Sequence, residues 1–416
     1  MNYTDYCIWL IMVFGAGNPK IWELINRFDN PENVFNSLKS ENFSFLSDKE
    51  KRAVRTTHME QCICLCENCE KEGIKIICYY DSEYPKMLEN ISNPPLILFA
   101  KGDLSVFDNL CITVVGTREP SQYSVRVAEN ICSQLAKIGV VIVSGFALGI
   151  DSMSHRSAVV SGGKTIVVLG CGIDVDYPKE NSKSKSAIEK HGIILTEFLP
   201  GTKPVPANFP KRNRILSALS QGTLVIEASM TSGSLITAEL AIEQGRDLFC
   251  IPPANIFDKR YMGVFKFLRD GAIPVFSYLD IVHEYYTVFT HKLLSLKRNA
   301  ENLQPTSESS IFSAENSENF PHRNKKTVKK DSTASAEISS GDEKHEEIPK
   351  TEKVDFQSEN SEYQEIAEIL KDGMKYIDEI AALSKKDVPQ LYLTLTDMEI
   401  DGIIECLPGK AYRLIV

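Results

Sequence analysis

A chain of 416 residues exceeds one ordinary core and points to two or three domains, at roughly 100–200 residues each. Hydrophobic residues at 43% and charged residues at 25% are globular averages, which excludes the extreme compositional classes. A net charge of −10 argues against coating nucleic acid by bulk electrostatics, so any polyanion site has to be a local basic patch.

No apolar stretch approaches the roughly 20 residues that cross a bilayer, and Asp5 stands where a signal peptide carries positive charge. A cytoplasmic protein with no membrane partner is expected. Eleven cysteines scattered through a chain this long read as reduced thiols filling cores, not as a disulfide framework.

Residues 1 to about 70 are predicted helical from the apolar spacing of Ile8, Leu10, Ile11, Ile21, Leu24, Ile25 and Phe28, giving a helical domain over 1–75. Gly15-Ala16-Gly17 between two short helices resembles a helix-hairpin-helix turn, whose backbone N–H groups meet a DNA phosphate; plain helical packing is the alternative. CICLCENC then brings Cys62, Cys64, Cys66 and Cys69 together. Such density suits a metal, but Cys62, Cys66 and Cys69 recur at i, i+4, i+7 on one helix face, which favours core packing, so no metal or other cofactor is expected.

From about 110 the pattern changes to short apolar runs, each followed by a helical stretch. They are Ile112 to Gly116, Val140 to Gly145, Thr165 to Gly170, Ile193 to Phe198, Thr223 to Ala228 and Asp247 to Pro252. Continuous apolar strands need burial on both faces, so the fold class is α/β, a Rossmann-like doubly wound and mostly parallel sheet over 76–290. Ligands of such sheets bind beyond the carboxyl ends of the strands. Residues 297–358 are rich in Ser, Glu, Asn, Lys and Asp and read as a disordered linker, with much of the acidity lying around Glu337 to Glu368. Its basic run Asn324 to Lys330 reads as solvated charge. Over 360–416 helical periodicity returns, and Ile403 to Ile415 reads as a hairpin turned at Pro408-Gly409, the plan of a winged helix.

Four segments at strand ends carry the chemistry. Gly116-Thr117-Arg118 combines a close backbone approach with a guanidinium fork for phosphate. In Ser144-Gly145-Phe146-Ala147 and Gly149, small residues leave N–H groups near a helix start as an anion site; Asp151 caps that helix, and His155 contacts phosphate, acts in acid–base chemistry or makes a structural hydrogen bond. Lys211, Arg212 and Arg214, with Asn213 as a polar hand and Phe209 as a stacking face, suit an unpaired strand. Ser232-Gly233-Ser234 opens a helix and offers hydroxyls and N–H groups, with Thr237 one turn further in. No Lys follows these glycines, so a nucleoside-triphosphate loop is not supported.

VVGTR, SGFALGIDSMSHRSAV, GGKTIVVLGCGIDVDYPKEN, LTEFLPGTKPVPANFPKRNRILSALS and EASMTSGSLITAELAIEQGR resemble, in this order and spacing, the successive blocks of the DNA-processing protein A (DprA/Smf) family. The resemblance covers about 100–285. It implies a non-enzymatic protein that binds and protects single-stranded DNA without sequence preference, helps load the RecA recombinase in natural transformation or recombination, and forms a homodimer. Carried over by motif, Arg118, the loop from Ser144 to Gly149, the basic cluster with Phe209, and Ser232 to Ser234 line the DNA groove. The chain departs from the family at Ile251-Pro252-Pro253 and at Tyr261 to Phe265.

Two rivals remain. A nucleotide phosphoribohydrolase of related fold would use a catalytic Glu near a Gly-rich loop, echoed faintly by Ser232 to Ser234 with Glu239, but its PGG is missing. A winged-helix transcriptional adaptor would read duplex DNA through a basic helix, whereas Val388 to Ile400 is acidic and suits a protein contact.

Overall fold

All six apolar runs form parallel strands: β3 (Cys111–Val115), β4 (Val141–Ser144), β5 (Thr165–Val168), β6 (Gly192–Thr196), β7 (Gly222–Val225) and β8 (Asp247–Cys250). The computed structural model describes residues 3–41, 43–285, 288–289, 361–400, 403–407 and 411–415. The expected linker, its basic run and the Pro408-Gly409 turn lie outside these residues. The chain divides into two compact units, Met1–Arg323 and Asn324–Val416.

In the first unit the sheet has nine strands in the order β1-β2-β6-β5-β4-β3-β7-β8-β9, where β1 (Lys75–Cys78) and β2 (Ile97–Gly102) add an antiparallel edge and β9 (Ile273–Pro274) closes the other. Successive residues bury on opposite faces. Ile142 packs with α7 (Gln122–Lys137) and α8 (Ile150–Val160) through Ile131, Leu135 and Ala158, whereas Val141 and Val143 pack with α10 (Asn208–Ala218) through Ile215 and Leu216. This two-sided cover is why the strands read as unbroken apolar runs. Chain order runs outward from β3 to β4, β5 and β6, then returns to β7 on its other side, so the sheet's switch point lies between β3 and β7.

Five helices precede the sheet: α1 (Tyr3–Phe14), α2 (Lys20–Phe28), α3 (Pro31–Ser40), α4 (Asp48–Thr56) and α5 (Met59–Lys71). They share one core with the sheet, joining Trp9, Leu10, Leu24, Val34 and Cys62 to Phe99, Val167 and Ile194. A capping box at Ser47 and Glu50 starts α4, and Asn30 caps α3. Cys62 and Cys69 are buried and Cys66 is half-buried against this core, while Cys64 is exposed, so the four thiols do not face one centre. Among the described residues no group of three or more His, Cys, Asp or Glu side chains is placed to hold a metal.

Gly15 is exposed, but Gly17 packs against the sheet domain, which counts against the phosphate-binding expectation for this turn. Asn93 Nδ2 donates to Gly17 O at 3.0 Å, Trp22 Nε1 donates to Pro94 O at 2.8 Å, and a Cβ on Gly17 would lie 2.9 Å from Glu197 Oε1. A carboxylate therefore lies beside Gly17, where it would repel a phosphate.

The second unit carries helices Ser361–Leu370, Ile377–Ser384 and Val388–Ile400 and a three-stranded antiparallel sheet. Ile404–Leu407 pairs with Ala411–Leu414, which also pairs with Lys375–Tyr376. Ile366, Leu370, Ile380, Leu391, Leu395, Met398, Ile404 and Tyr412 form its core. No helix among the described residues is long and apolar enough to cross a membrane.

Candidate nucleic-acid interface

The loops after β3, β4, β5 and β7 meet at the carboxyl end of the sheet because the strands are parallel neighbours. Thr117 N donates to Glu227 O at 2.8 Å, which ties the β3 loop to the β7 loop across the switch point. Ile150 N donates to Thr117 O at 3.2 Å, tying it to the β4 loop on the other side. Gly149, at φ 80°, is required there: a Cβ would lie 2.4 Å from Thr117 O and 2.6 Å from Arg118 O. Arg118 projects from this knot exposed, with no ion-pair partner among the described residues.

The β4 loop corrects an expectation. Two of its N–H groups are not waiting for an external anion, because Asp151 Oδ2 already accepts from Gly145 N at 3.2 Å and Ala147 N at 3.3 Å. Asp151 is thus a built-in anion that shapes the loop, not the N-cap, a place held by Gly149. Burial raises its pKa, opposed by the Arg212 guanidinium and these N–H groups. Ser144 is buried and donates from Oγ to Val114 O at 2.7 Å; Gly145 and Phe146 are buried too, leaving Ala147 and Gly149 at the surface with exposed Leu148.

The basic cluster is divided by helix phase. Residues two apart on a helix point about 200° apart, and Arg212 and Arg214 do so on α10. Arg212, 5% exposed, turns under the loops and donates from Nη1 to Gly145 O at 2.7 Å and to Val168 O. Burial brings its pKa down to about 10, Asp151 and Cys171 act to raise it, and the neighbouring Arg118 charge lowers it further. Arg214 instead forks onto both oxygens of buried Glu197 at 2.6 Å and donates to Asn93 O. Asn213 is buried and accepts from Arg212 Nε at 3.2 Å. Lys211 alone of the three cations faces solvent without an ion pair. Arg212, Asn213 and Arg214 are therefore scaffold, not free hands for a ligand.

Phe209 opens α10 half-buried, its ring beside Gly170, where a Cβ would lie 2.8 Å from Cδ1. Arg212 lies 5.9 Å from the ring centroid beneath it. Tyr177, from the loop after β5, meets the same ring at 5.6 Å between centroids and is exposed. Sequence reading missed Tyr177 as a site residue; its signal was an aromatic shortly beyond the strand end in GCGIDVDYP. On the far side of Arg118, α11 (Ser234–Glu243) starts with no side-chain cap hydrogen bond, and Ser232 Oγ and Ser234 Oγ lie 2.7 Å apart beside exposed Gly233. Ser234 N donates to Ser232 Oγ at 3.4 Å and Leu235 N to Ser232 O at 3.1 Å, so it is the two hydroxyls at this helix start that suit a phosphate oxygen. Thr237 is buried and cannot reach it.

His155 is buried, not at the surface. Thr165 Oγ1 donates to Ile142 O at 2.7 Å, so it accepts from His155 Nδ1 at 2.7 Å, while Nε2 has no hydrogen-bond partner among the described residues. Burial, aided by Arg212, drives its pKa down to about 3 from 6.5. As pH falls below 6.5 the unfolded chain takes up a proton that the folded chain refuses, so stability is lost from there toward pH 3. This residue should remove about 2 kcal/mol between pH 7 and pH 5. Asp151 acts in the opposite sense, so the informative quantity is the difference between wild type and His155→Gln in denaturant titrations at the two pH values. The variant should lose less; identical losses would remove His155 from the pH dependence.

Comparison with known proteins agrees with this architecture. The family model for DNA recombination-mediator protein A matches residues 75–286, and that for the DprA winged helix domain matches 352–410. The DNA processing protein DprA of Bacillus subtilis is 41% identical over 215 residues, covering 51% of this chain and 72% of the relative. That of Streptococcus pneumoniae is 35% identical over 285 residues, covering 68% of this chain and 99% of the relative. The X-ray structure of DprA from Streptococcus pneumoniae superposes with a TM-score of 0.60 at 32% identity, covering 68% of this chain and 99% of that one.

Proposed function

The chain belongs to the DNA-processing protein A (DprA/Smf) family, and from that membership we propose that it binds single-stranded DNA along the carboxyl end of its sheet without cutting it. In this reading it protects the strand and helps load the RecA recombinase in natural transformation or recombination, acting in the cytoplasm as a homodimer. The observation that carries the reading is the convergence of exposed Arg118, exposed Lys211, the Tyr177–Phe209 pair and the Ser232 and Ser234 hydroxyls around one set of strand ends. Two cations track a phosphate backbone, aromatic faces stack unpaired bases, and neither reads base edges, which gives binding without sequence preference.

The absence of catalysis is part of the same reading. Glu239, the carboxylate that a phosphoribohydrolase would need, lies on the outer side of α11 paired with Lys266 at 3.1 Å. Glu227, nearer the loops, is buried and accepts from Ser121 N, Ser121 Oγ and Tyr261 OH. Both carboxylates have partners in the fold, which supports the reading without catalysis.

Stacking separates this site from a merely cationic one. Tyr177→Ala and Phe209→Ala should each weaken binding of a labelled oligothymidylate by roughly 5- to 150-fold, the equivalent of about 1–3 kcal/mol per stacked base. Tyr177→Trp should bind as wild type. Fluorescence anisotropy at fixed salt reads the change, and wild-type affinity in Tyr177→Ala, whose side chain is exposed and whose fold should be intact, would count against the site.

A further inference from the structure

Outside the interface, two cysteine thiols meet in the shared core of the helices and the sheet edge. Cys7 on α1 and Cys78 at the end of β1 are both fully buried, and their sulfurs lie 3.3 Å apart. The residues are 71 positions apart, so the contact joins the N-terminal helical layer to the outermost strand of the sheet. The thiols on α5 are placed differently: Cys62 Sγ is 3.8 Å from Met12 Sδ, and Cys66 Sγ is 3.7 Å from Asp5 Oδ1.

We propose that Cys7 and Cys78 are a modification site, a thiol pair that closes to an intramolecular disulfide under a small peroxide oxidant and fastens α1 to β1. A disulfide needs its sulfurs at about 2 Å, so closure asks for a movement on the order of 1 Å, within reach of side-chain rotation. The chemistry balances with hydrogen peroxide as the oxidant. One thiolate attacks a peroxide oxygen, the O–O bond breaks, and a sulfenic acid forms as hydroxide leaves. The second thiol attacks that sulfur, the S–S bond forms, and the sulfenyl oxygen leaves as water. In sum two thiols lose two electrons and two protons, and peroxide becomes two waters.

The environment divides the roles. Burial pushes the Cys7 thiol up, whereas the hydrogen bond with Cys7 and the backbone N–H groups of Tyr79 and Tyr80 bring the Cys78 thiol down, so Cys78 attacks and Cys7 resolves. Burial also makes the reaction wait for local opening, so it is slower than oxidation of exposed Cys64. The product is shielded from reductant by the same burial.

The test uses the full-length protein exposed to hydrogen peroxide, then unfolded in an alkylating reagent and digested with trypsin. Cys7 and Cys78 fall in peptides 1–20 and 76–86, each with a single cysteine. The expected result is these two peptides joined, lighter than their sum by two hydrogen atoms, and a melting temperature raised by roughly 5–15 °C because the cross-link restricts the unfolded chain. The rise should vanish in Cys7→Ala and in Cys78→Ala. Recovery of both peptides as alkylated free thiols while Cys64 is oxidised, or pairing of either with another cysteine, would overturn the proposal, and wild type alone decides it if a variant fails to fold.

Discussion

Arg118→Ala is expected to weaken single-stranded DNA binding by roughly 10- to 150-fold, the loss of about 1.5–3 kcal/mol for a charge-assisted hydrogen-bonded pair with phosphate. The side chain is exposed and unpaired among the described residues, so the substitution should leave the melting temperature within about 2 °C of wild type. Arg118→Lys keeps the charge and loses the planar fork, and should fall between the two. A plot of log affinity against log salt should become shallower by about 0.7, the contribution of one phosphate on a single strand. Isothermal titration at several salt concentrations reads both quantities. An unchanged slope with lowered affinity would mean that Arg118 acts on the loops and not on phosphate.

Arg212→Met should act first on stability. It conserves volume but removes the donors that Gly145 O and Val168 O use and the positive charge beside buried Asp151. Breaking such a buried arrangement from one side costs about 3–5 kcal/mol, enough to lower the melting temperature by on the order of 10 °C. Pairing it with Asp151→Asn, which removes the stranded charge, should restore part of that loss. The double-mutant cycle by chemical denaturation measures the coupling. Strictly additive losses would show that the two groups do not sense each other. DNA affinity in the folded fraction should fall as well, since the β4 loop rests on both side chains.

These two arginines show what was legible in the sequence and what was not. The six parallel strands could be read because two-sided burial leaves long apolar runs with few alternatives. The strands β1 and β2 were less visible, because they pair antiparallel and lie outside the βα alternation that announces the rest. The position of the site followed from strand direction alone, and Arg118, Lys211 and Phe209 lie at that end. The roles inside the KRNR cluster did not follow, because counting charges along the chain ignores that α10 sends Arg212 toward the strand ends and Arg214 toward Glu197. Likewise Gly145 and Ala147 read as an open anion nest until Asp151 was seen to occupy it. Tyr177 needed the fold, since only the loop after β5 brings it onto Phe209.

The site combines exposed cations with aromatic faces, which bears on selectivity. A duplex offers phosphates but holds its bases stacked, so Arg118 and Lys211 could engage it while Tyr177 and Phe209 could not. The sequence-level expectation that acidic Val388–Ile400 makes a poor duplex reader points the same way. Preference between the two forms thus depends on the aromatic pair, whereas affinity for either depends on the cations.

The most direct measurement is a competition titration of wild-type protein in which unlabelled single strands and duplexes of equal length displace a bound labelled single strand over a range of salt. The account predicts that single strands compete at far lower concentration, and that Tyr177→Ala narrows the gap. Equal competition by both forms, with the gap absent from wild type, would contradict it.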